Sequence, residues 1–330
     1  MAPDAAATPP RVGVRDVARA AGVSPQTVSR VLNGYAGIRD DTRARVLEAV
    51  AALGYRMNNA ARALGTRTTR TLGVVATNAA LYGPSAGIAA LETAARERGR
   101  WIATAYADAD DTGSVQAAVE HVLSQGVDGI VLVAAHTRTR DVVAAAASTV
   151  PVVVLHEGVG AERQAQGAAL AVRHVRALGH VRIAELAGPA DWTEAAARSR
   201  GVAAALSEAG LAPAARWHGD WSAASGAAVA TTAAAALATA GGPTAIVAAN
   251  DQMALGLIAG LRGAGVDVPR DVGITGFDDN PDAAYYRPAL TTVRLDLVGE
   301  ARRAVAAVVG EDAPDPGAPE LVVRASTISS

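Results

Sequence analysis

The chain has 330 residues, half of them apolar, a length and composition that predict two or three compact folded units. It contains no cysteine, which excludes disulfides, thiolate metal sites and cysteine nucleophiles. The net charge of −2 is unevenly distributed. Residues 1–70 carry 11 arginines and 5 acidic residues, a net charge of +6, whereas residues 71–330 carry 19 arginines and 27 acidic residues, a net charge of −8. A basic segment ahead of an acidic body indicates that the first segment binds a polyanion.

Residues 1–10 contain three prolines and no apolar run of the kind found in secretory signals, and we interpret them as a disordered leader. No stretch of the chain approaches 18 consecutive strongly apolar residues, so we expect no membrane span and no membrane partner. These features favour a cytoplasmic protein.

Residues 11–56 have the pattern of a small all-α domain with three short helices. Apolar residues recur at helical spacing in the first segment, and "AGVS" then interrupts the chain. The second helix begins with Ser24 as a suitable N-cap and Pro25 at the first helical position, and the third begins near Asp40. Two helices joined by a short glycine-bearing turn predict a helix-turn-helix.

The second helix has a polar face suited to reading DNA. Gln26, Arg30 and Asn33 stand at i, i+4 and i+7, so they share a face, and their side chains can bond base edges. Three further polar residues of the segment can reach phosphates: Ser24, Thr27 and Ser29. Such a face, taken alone, is more often a solvated surface, but the positive charge and the short turn favour DNA binding.

From Thr71 onward, short β-rich runs alternate with helical segments of about a dozen residues, a rhythm typical of parallel sheets covered by helices. Residues 57–70 form a polar connector that could hold a short hinge helix. We predict that residues 71–330 fold as an α/β core with two lobes. The first lobe takes about 71–166 and 298–316, and the second takes about 167–297 and 317–330.

Three candidate ligand residues follow strand-like runs of the second lobe. Asn250 and Asp278 come at strand ends, where a carboxamide and a carboxylate can bond pairs of hydroxyl groups. Trp221, in "GDWSAASG", is either a core tryptophan or a plate on which a sugar ring stacks. Ligands of open α/β sheets bind at the carboxyl ends of strands, so these positions together favour a neutral polyol or sugar.

Several motifs resemble the LacI/GalR family of transcriptional regulators: "VRDVARAAGVSPQTVSRVLNG", "NNAARAL", "AANDQMALG" and "GFDD…YYRPALTTV". The resemblance implies a helix-turn-helix headpiece, a hinge helix and a core like that of the periplasmic sugar-binding proteins. It implies base reading by Gln26 and Arg30, and minor-groove contacts from the hinge residues Asn58, Ala61 and Leu64.

The resemblance also extends to the effector cleft. It implies an apolar wall at Leu81 and Pro84, a ligand-binding Arg198 and a stacking role for Trp221, and it brings His156 into the site. Pro25, Met57 and His156 depart from the family member that the chain resembles most. The sequence therefore does not determine which operator sequence is bound, and the effector can be a β-galactoside or another related sugar.

The function that these features favour is a repressor that a small sugar releases from DNA. One small headpiece offers few contacts, so we expect a homodimer on a pseudopalindromic double-stranded operator. Three alternatives are kept. The ligand could act as a corepressor, or the protein could be a sugar-processing enzyme with Asp278 and Asp279 as paired carboxylates, or a transport-type sugar-binding protein. The chain has no HExxH, GxSxG or phosphate-binding P-loop motif, so we expect no catalytic residue, metal or cofactor.

Overall fold

The computed structural model describes residues 12–56 and 68–327 of the chain. The chain divides into two compact units, residues 1–69 and residues 70–330. The described part of the first unit holds three helices: α1 (Val14–Ala21), α2 (Pro25–Leu32) and α3 (Asp40–Ala52).

The three helices enclose a small valine-rich core. Val17 and Val28, from α1 and α2, are fully buried against Val46 from α3. Gly22, with a φ of +65°, ends α1 in the left-handed conformation that glycine adopts without strain. The predicted helix-turn-helix is confirmed.

The first lobe of the second unit is built on a parallel four-stranded sheet with the order β2-β1-β3-β4. Its strands are β1 (Thr71–Thr77), β2 (Trp101–Ala107), β3 (Ile130–Val133) and β4 (Val152–Val154). Three helices connect them: α4 (Tyr82–Glu97), α5 (Thr112–Ser124) and α6 (Thr137–Ala146). The central strands β1 and β3 are almost wholly buried, as expected for a sheet covered on both faces.

The second lobe repeats this design with the order β6-β5-β7-β8. Its strands are β5 (Ile183–Ala187), β6 (Arg216–His218), β7 (Ala245–Ala248) and β8 (Gly273–Thr275). Its helices are α7 (Val159–Ala177), α8 (Thr193–Glu208), α9 (Ala223–Leu237) and α10 (Asp251–Gly263). Gly226 and Gly256 let α9 and α10 pack closely, since a β-carbon at either position would overlap the backbone of the other helix.

The chain crosses between the lobes three times. It crosses first between β4 and α7, and it returns after β9 (Thr292–Arg294) to form α11 (Leu297–Val308), which packs against α4 of the first lobe. It crosses again before β10 (Glu320–Val322), which pairs with β9 in an antiparallel ladder. Because α7 is one continuous helix packed on α8, we place the first crossing at residues 155–158, ahead of the boundary near 166 that the sequence suggested.

The predicted α/β core with parallel sheets is confirmed. Strands β6, β9 and β10 were not predicted from the sequence, because their residues (RWH, TVR and ELV) do not form an apolar run. Within the part of the chain that the structure describes, no helix has the length and apolar character needed to cross a membrane.

Candidate functional site

The start of α2 is held by its own polar side chains. The Ser24 hydroxyl oxygen accepts a hydrogen bond from the Thr27 backbone N–H at 3.1 Å, and the Ser24 and Thr27 hydroxyls are 2.9 Å apart. Pro25 occupies the first helical position. The two hydroxyls therefore stabilise the start of the helix, which is the N-cap role that the sequence predicted for Ser24.

The predicted reading face of α2 is open to solvent. Gln26, Ser29, Arg30 and Asn33 are exposed, whereas Val28 is fully buried on the other side of the helix. The Arg30 guanidinium lies 5.5 Å from the centre of the Tyr35 ring and forms no ion pair with any described residue. Its charge is therefore available to an external acceptor.

Asn33 is engaged within its own helix. Its side-chain Nδ2 donates to the Ser29 carbonyl at 2.8 Å and lies 3.3 Å from the Ser29 hydroxyl, at the carboxyl end of α2. A base contact by Asn33 would compete with this capping bond. The predicted hinge residues Asn58, Ala61 and Leu64 lie outside the described residues, as does Met57.

A cavity of about 430 Å³ lies between the two lobes of the second unit. All seven effector residues predicted from the sequence line it: Leu81, Pro84, His156, Arg198, Trp221, Asn250 and Asp278. Its remaining lining residues are Gly83, Val133, Ala134, Trp192 and Glu194. Trp192 and Glu194 follow β5, and the resemblance also implies that they lie in the cleft, at positions where they depart from the family member.

Arg198 organises the second-lobe wall of the cavity. It projects from α8 and is 8% exposed. Its Nε donates to Gln164 Oε1 at 2.8 Å, its Nη1 donates to the Ala249 carbonyl, and its Nη2 donates to Asp278 Oδ1 at 3.0 Å. Its guanidinium carbon also lies 3.8 Å from the centre of the Phe277 ring. These contacts fix the plane of the guanidinium.

Asp278 and Asp279 have separate partners. Burial raises the pKa of the Asp278 carboxyl above its usual value, and the charge of Arg198 opposes that rise. The Asp279 carboxylate instead bonds Arg324 and Arg294, each at 2.7 Å, outside the cavity lining. The two carboxylates therefore do not form the shared pair that an acid–base enzyme would need.

Asn250 is hydrogen-bonded to the backbone of Trp221. Asn250 Oδ1 accepts from the Met253 backbone N–H at 2.8 Å, which caps α10, and its Nδ2 donates to the Trp221 carbonyl at 3.0 Å. The Trp221 ring contacts the Trp192 ring edge-on, with 5.4 Å between the ring centres. The Trp221 side chain is 4% exposed, and its Nε1–H has no hydrogen-bond partner among the described residues.

His156 contributes a charged pair at the first crossing between the lobes. Its Nδ1 contacts the Glu300 carboxylate of α11. Burial lowers the pKa of His156, but the Glu300 charge and hydrogen bond outweigh burial and raise it above the usual value. The other Glu300 oxygen, Oε1, is buried without a partner among the described residues.

Four lining residues that are not glycine have positive φ angles: Ala134, His156, Trp221 and Asp278. Side chains other than glycine rarely adopt this conformation, and such strain concentrates at functional sites. The described residues contain no group of histidines and acids placed to hold a metal ion. The arrangement suits reversible binding of a small molecule.

Family models match both units. Residues 14–58 match a model described as bacterial regulatory proteins, lacI family, and residues 172–327 match a periplasmic binding protein-like domain. The chain is 34% identical over 301 residues to the lactose operon repressor of Escherichia coli, covering 87% of this chain and 81% of the relative. It is 33% identical to the HTH-type transcriptional regulator GalS of Salmonella typhimurium, covering 88% and 87%.

A solved structure of the lac repressor dimer bound to operator and the anti-inducer ONPF superposes with a TM-score of 0.79. Its sequence identity to this chain is 32%, and the match covers 97% of this chain and 100% of that structure. The similarity therefore spans both units.

Proposed function

This chain belongs to the lacI family of bacterial regulatory proteins, and we propose that it is a repressor which a galactoside releases from its operator. The family assignment makes it a DNA-binding transcriptional regulator controlled by a small ligand. The identity of that ligand and the sign of its effect are the parts proposed here.

The free polar atoms of the cavity support a ligand that carries hydroxyl groups. Asp278 Oδ1 is occupied by Arg198, whereas Oδ2 accepts no hydrogen bond from the described residues. Trp221 Nε1–H is a buried donor without an acceptor. A ligand hydroxyl can donate to the free carboxylate oxygen, so a polyol supplies the partner that this oxygen lacks.

The charges and shape of the lining favour a neutral sugar. Arg198 already pairs with Asp278, and Glu194 adds a second carboxylate to the cavity, which disfavours an anionic ligand. The apolar side chains of Leu81 and Pro84 face the ligand space from the first lobe.

The observation that supports the proposal most strongly is that one cavity contains both the buried Trp221 ring and the Arg198–Asp278 ion pair. The carbon-bound face of a galactose ring can stack on the tryptophan while its hydroxyls reach the polar pair. The similarity to the lactose operon repressor favours a galactoside within this class.

A homodimer on a pseudopalindromic operator completes the proposal. The second lobe has two exposed apolar side chains near each other, Tyr285, which is 80% exposed, and Leu255, which is 36% exposed. Burying this surface against a second copy would place two headpieces on one operator. The solved lac repressor dimer on its operator supports this assembly.

Ligand release of the operator follows from the position of the cavity. A sugar that contacts Leu81 in the first lobe and Arg198 in the second favours one relative arrangement of the lobes. It changes operator affinity only by its differential affinity for the two arrangements. We propose that the sugar-bound arrangement binds the operator less tightly.

The test measures operator affinity at fixed salt while methyl β-galactoside, glucose, cellobiose and a purine base are titrated. We expect methyl β-galactoside to weaken operator binding by wild type and to have no effect on Trp221→Leu, which fills volume but removes the aromatic ring. Trp217→Leu is the matched control, because Trp217 is half-buried outside the cavity lining. Tighter binding with the sugar, or release by the purine alone, would refute the proposed ligand and its sign.

A further inference from the structure

A short bridge joins the two lobes at the edge of the cavity. Residues 135–137 lead from β3 into the start of α6 in the first lobe, and residues 191–193 lead into the start of α8 in the second. His136 and Trp192 pair as an isolated antiparallel β-bridge. The Thr137 N–H donates to the Asp191 carbonyl at 3.1 Å, and the Thr193 N–H donates to the Ala135 carbonyl at 3.2 Å.

Side chains reinforce this backbone bridge. His136 Nδ1 lies 3.0 Å from Asp191 Oδ2, and the imidazole meets the Trp192 ring edge-on with 4.6 Å between ring centres. His136 and Trp192 are 6% and 5% exposed, whereas the Asp191 side chain is half-exposed. The hydrogen bond from His136 lowers the pKa of Asp191, with a smaller contribution from the charge of Arg138, so the carboxylate stays ionised.

The bridge contacts the cavity through Trp192 alone. Trp192 lines the cavity and touches the Trp221 ring, whereas His136 and Asp191 are not among the lining residues. We propose that His136 and Asp191 are positioning residues, a latch that holds the lobes together over the cavity and so sets ligand affinity. This inference rests on the proposed function for its ligand, but the latch itself is a property of the protein without ligand.

The geometry explains why the latch must respond to lobe movement. The backbone hydrogen bonds of the bridge run in both directions between the lobes, and the latch pairs side chains of the same two segments, so a rotation of one lobe against the other disrupts both sets of contacts. The backbone bonds of the bridge and a further contact between the lobes, from the Tyr82 N–H to Gln252 Oε1 at 3.2 Å, stay in place when the side chains of the latch are substituted. Loss of the latch therefore loosens the lobes without separating them.

The first measurement reports lobe position without ligand. Because the chain has no cysteine, spin labels can be placed at Ala117→Cys in α5 and Ala204→Cys in α8, both exposed positions on different lobes. We expect Asp191→Asn and His136→Asn to broaden the distance distribution between the labels to the same extent as the double variant. Asp191→Glu keeps the charge and should restore the wild-type distribution.

The second measurement reports the effect on binding. With methyl β-galactoside as the probe, we expect each latch variant to dissociate faster and to bind about fivefold more weakly, at the lower end of typical coupling between sites. The double variant should bind no more weakly than either single variant. Asp110→Asn is the matched control, since it removes an exposed ion pair with Arg138 that lies within one lobe.

The two measurements separate the latch from the proposed ligand. Unchanged label distances in both latch variants would overturn the latch, and so would changed distances with unchanged galactoside affinity. If the labels respond as expected but wild type binds no galactoside, the latch between the lobes holds and the proposed ligand is wrong. If the effects of the two substitutions on galactoside affinity were additive, the pairing of His136 with Asp191 would be overturned.

Discussion

Substitution of Gly188 should displace the Trp221 ring into the cavity and so reduce the space for the ligand. Gly188 follows β5 and lies directly against the Trp221 ring. A β-carbon at this position would lie 2.8 Å from Trp221 Cζ3 and closer still to Cη2 and Cζ2. The φ of Gly188 is not positive, so the strain of Gly188→Ala comes from this overlap and not from the backbone.

The size of the effect follows from how tightly the Trp221 ring is packed on every side except that of the cavity. Trp221 is 4% exposed and is held by Trp192 on one side and by its own backbone bond to Asn250. Inserting a methyl group into such packing costs about 1–3 kcal/mol. Since the ring can relieve the overlap by moving into the cavity, we expect sugar affinity to fall about tenfold or more, the equivalent of roughly 1.4 kcal/mol.

The assay combines calorimetric titration of methyl β-galactoside with operator binding and thermal unfolding. Gly188→Ala should lose sugar affinity yet keep ligand-free operator affinity, because the first unit is unchanged. Gly241→Ala is the matched control, as its β-carbon would meet no atom within 4 Å. Wild-type sugar affinity in a Gly188→Ala protein that is itself folded would refute the reasoning.

Three further predictions concern DNA, pH and assembly. Arg30→Ala should weaken operator binding by about 1–3 kcal/mol and relax one base position in a selection on randomised operators; uniform weakening would mean a phosphate contact only. The interaction with Glu300 that raises the pKa of His156 stabilises the folded state at pH 6. This stabilisation is lost as the pH rises through the pKa of His156. The difference in unfolding free energy between wild type and Glu300→Gln should therefore shrink between pH 6 and 9, and a constant difference would contradict it. Tyr285→Glu should turn a dimer into a monomer in light scattering; wild-type monomers would disprove the apolar interface.

Local sequence patterns were enough to predict the helix-turn-helix. Ser24 and Pro25 specify the start of α2 through contacts within four residues, and buried valines recur at helical spacing. Seven of the eight strands of the two parallel sheets were likewise predictable, because apolar runs end at turn residues. The exception is β6, whose residues Arg216–His218 contain no apolar run.

Two of the cavity residues were predictable for a different reason, whereas Leu81, Pro84, His156 and Arg198 were implied by the resemblance to the lacI family. Asn250 and Asp278 follow strands, and parallel strands bring their carboxyl ends to one edge of a sheet. The sequence could not predict how their polar atoms are used. Asn250 caps α10 and bonds Trp221, and Arg198 is held by a backbone carbonyl, so less of the polar lining is free than residue types suggest.

The pairs that link the lobes lie beyond the reach of sequence patterns. His136 and Asp191 are 55 residues apart, and His156 and Glu300 are 144 residues apart, so no periodicity connects them. Each pair forms only when separate segments fold together, one across the cleft and one at a crossing of the chain. A regulator of this design can therefore change its ligand through strand-end residues, while the contact between the lobes is adjusted separately through a pair such as His136 and Asp191, which does not line the cavity.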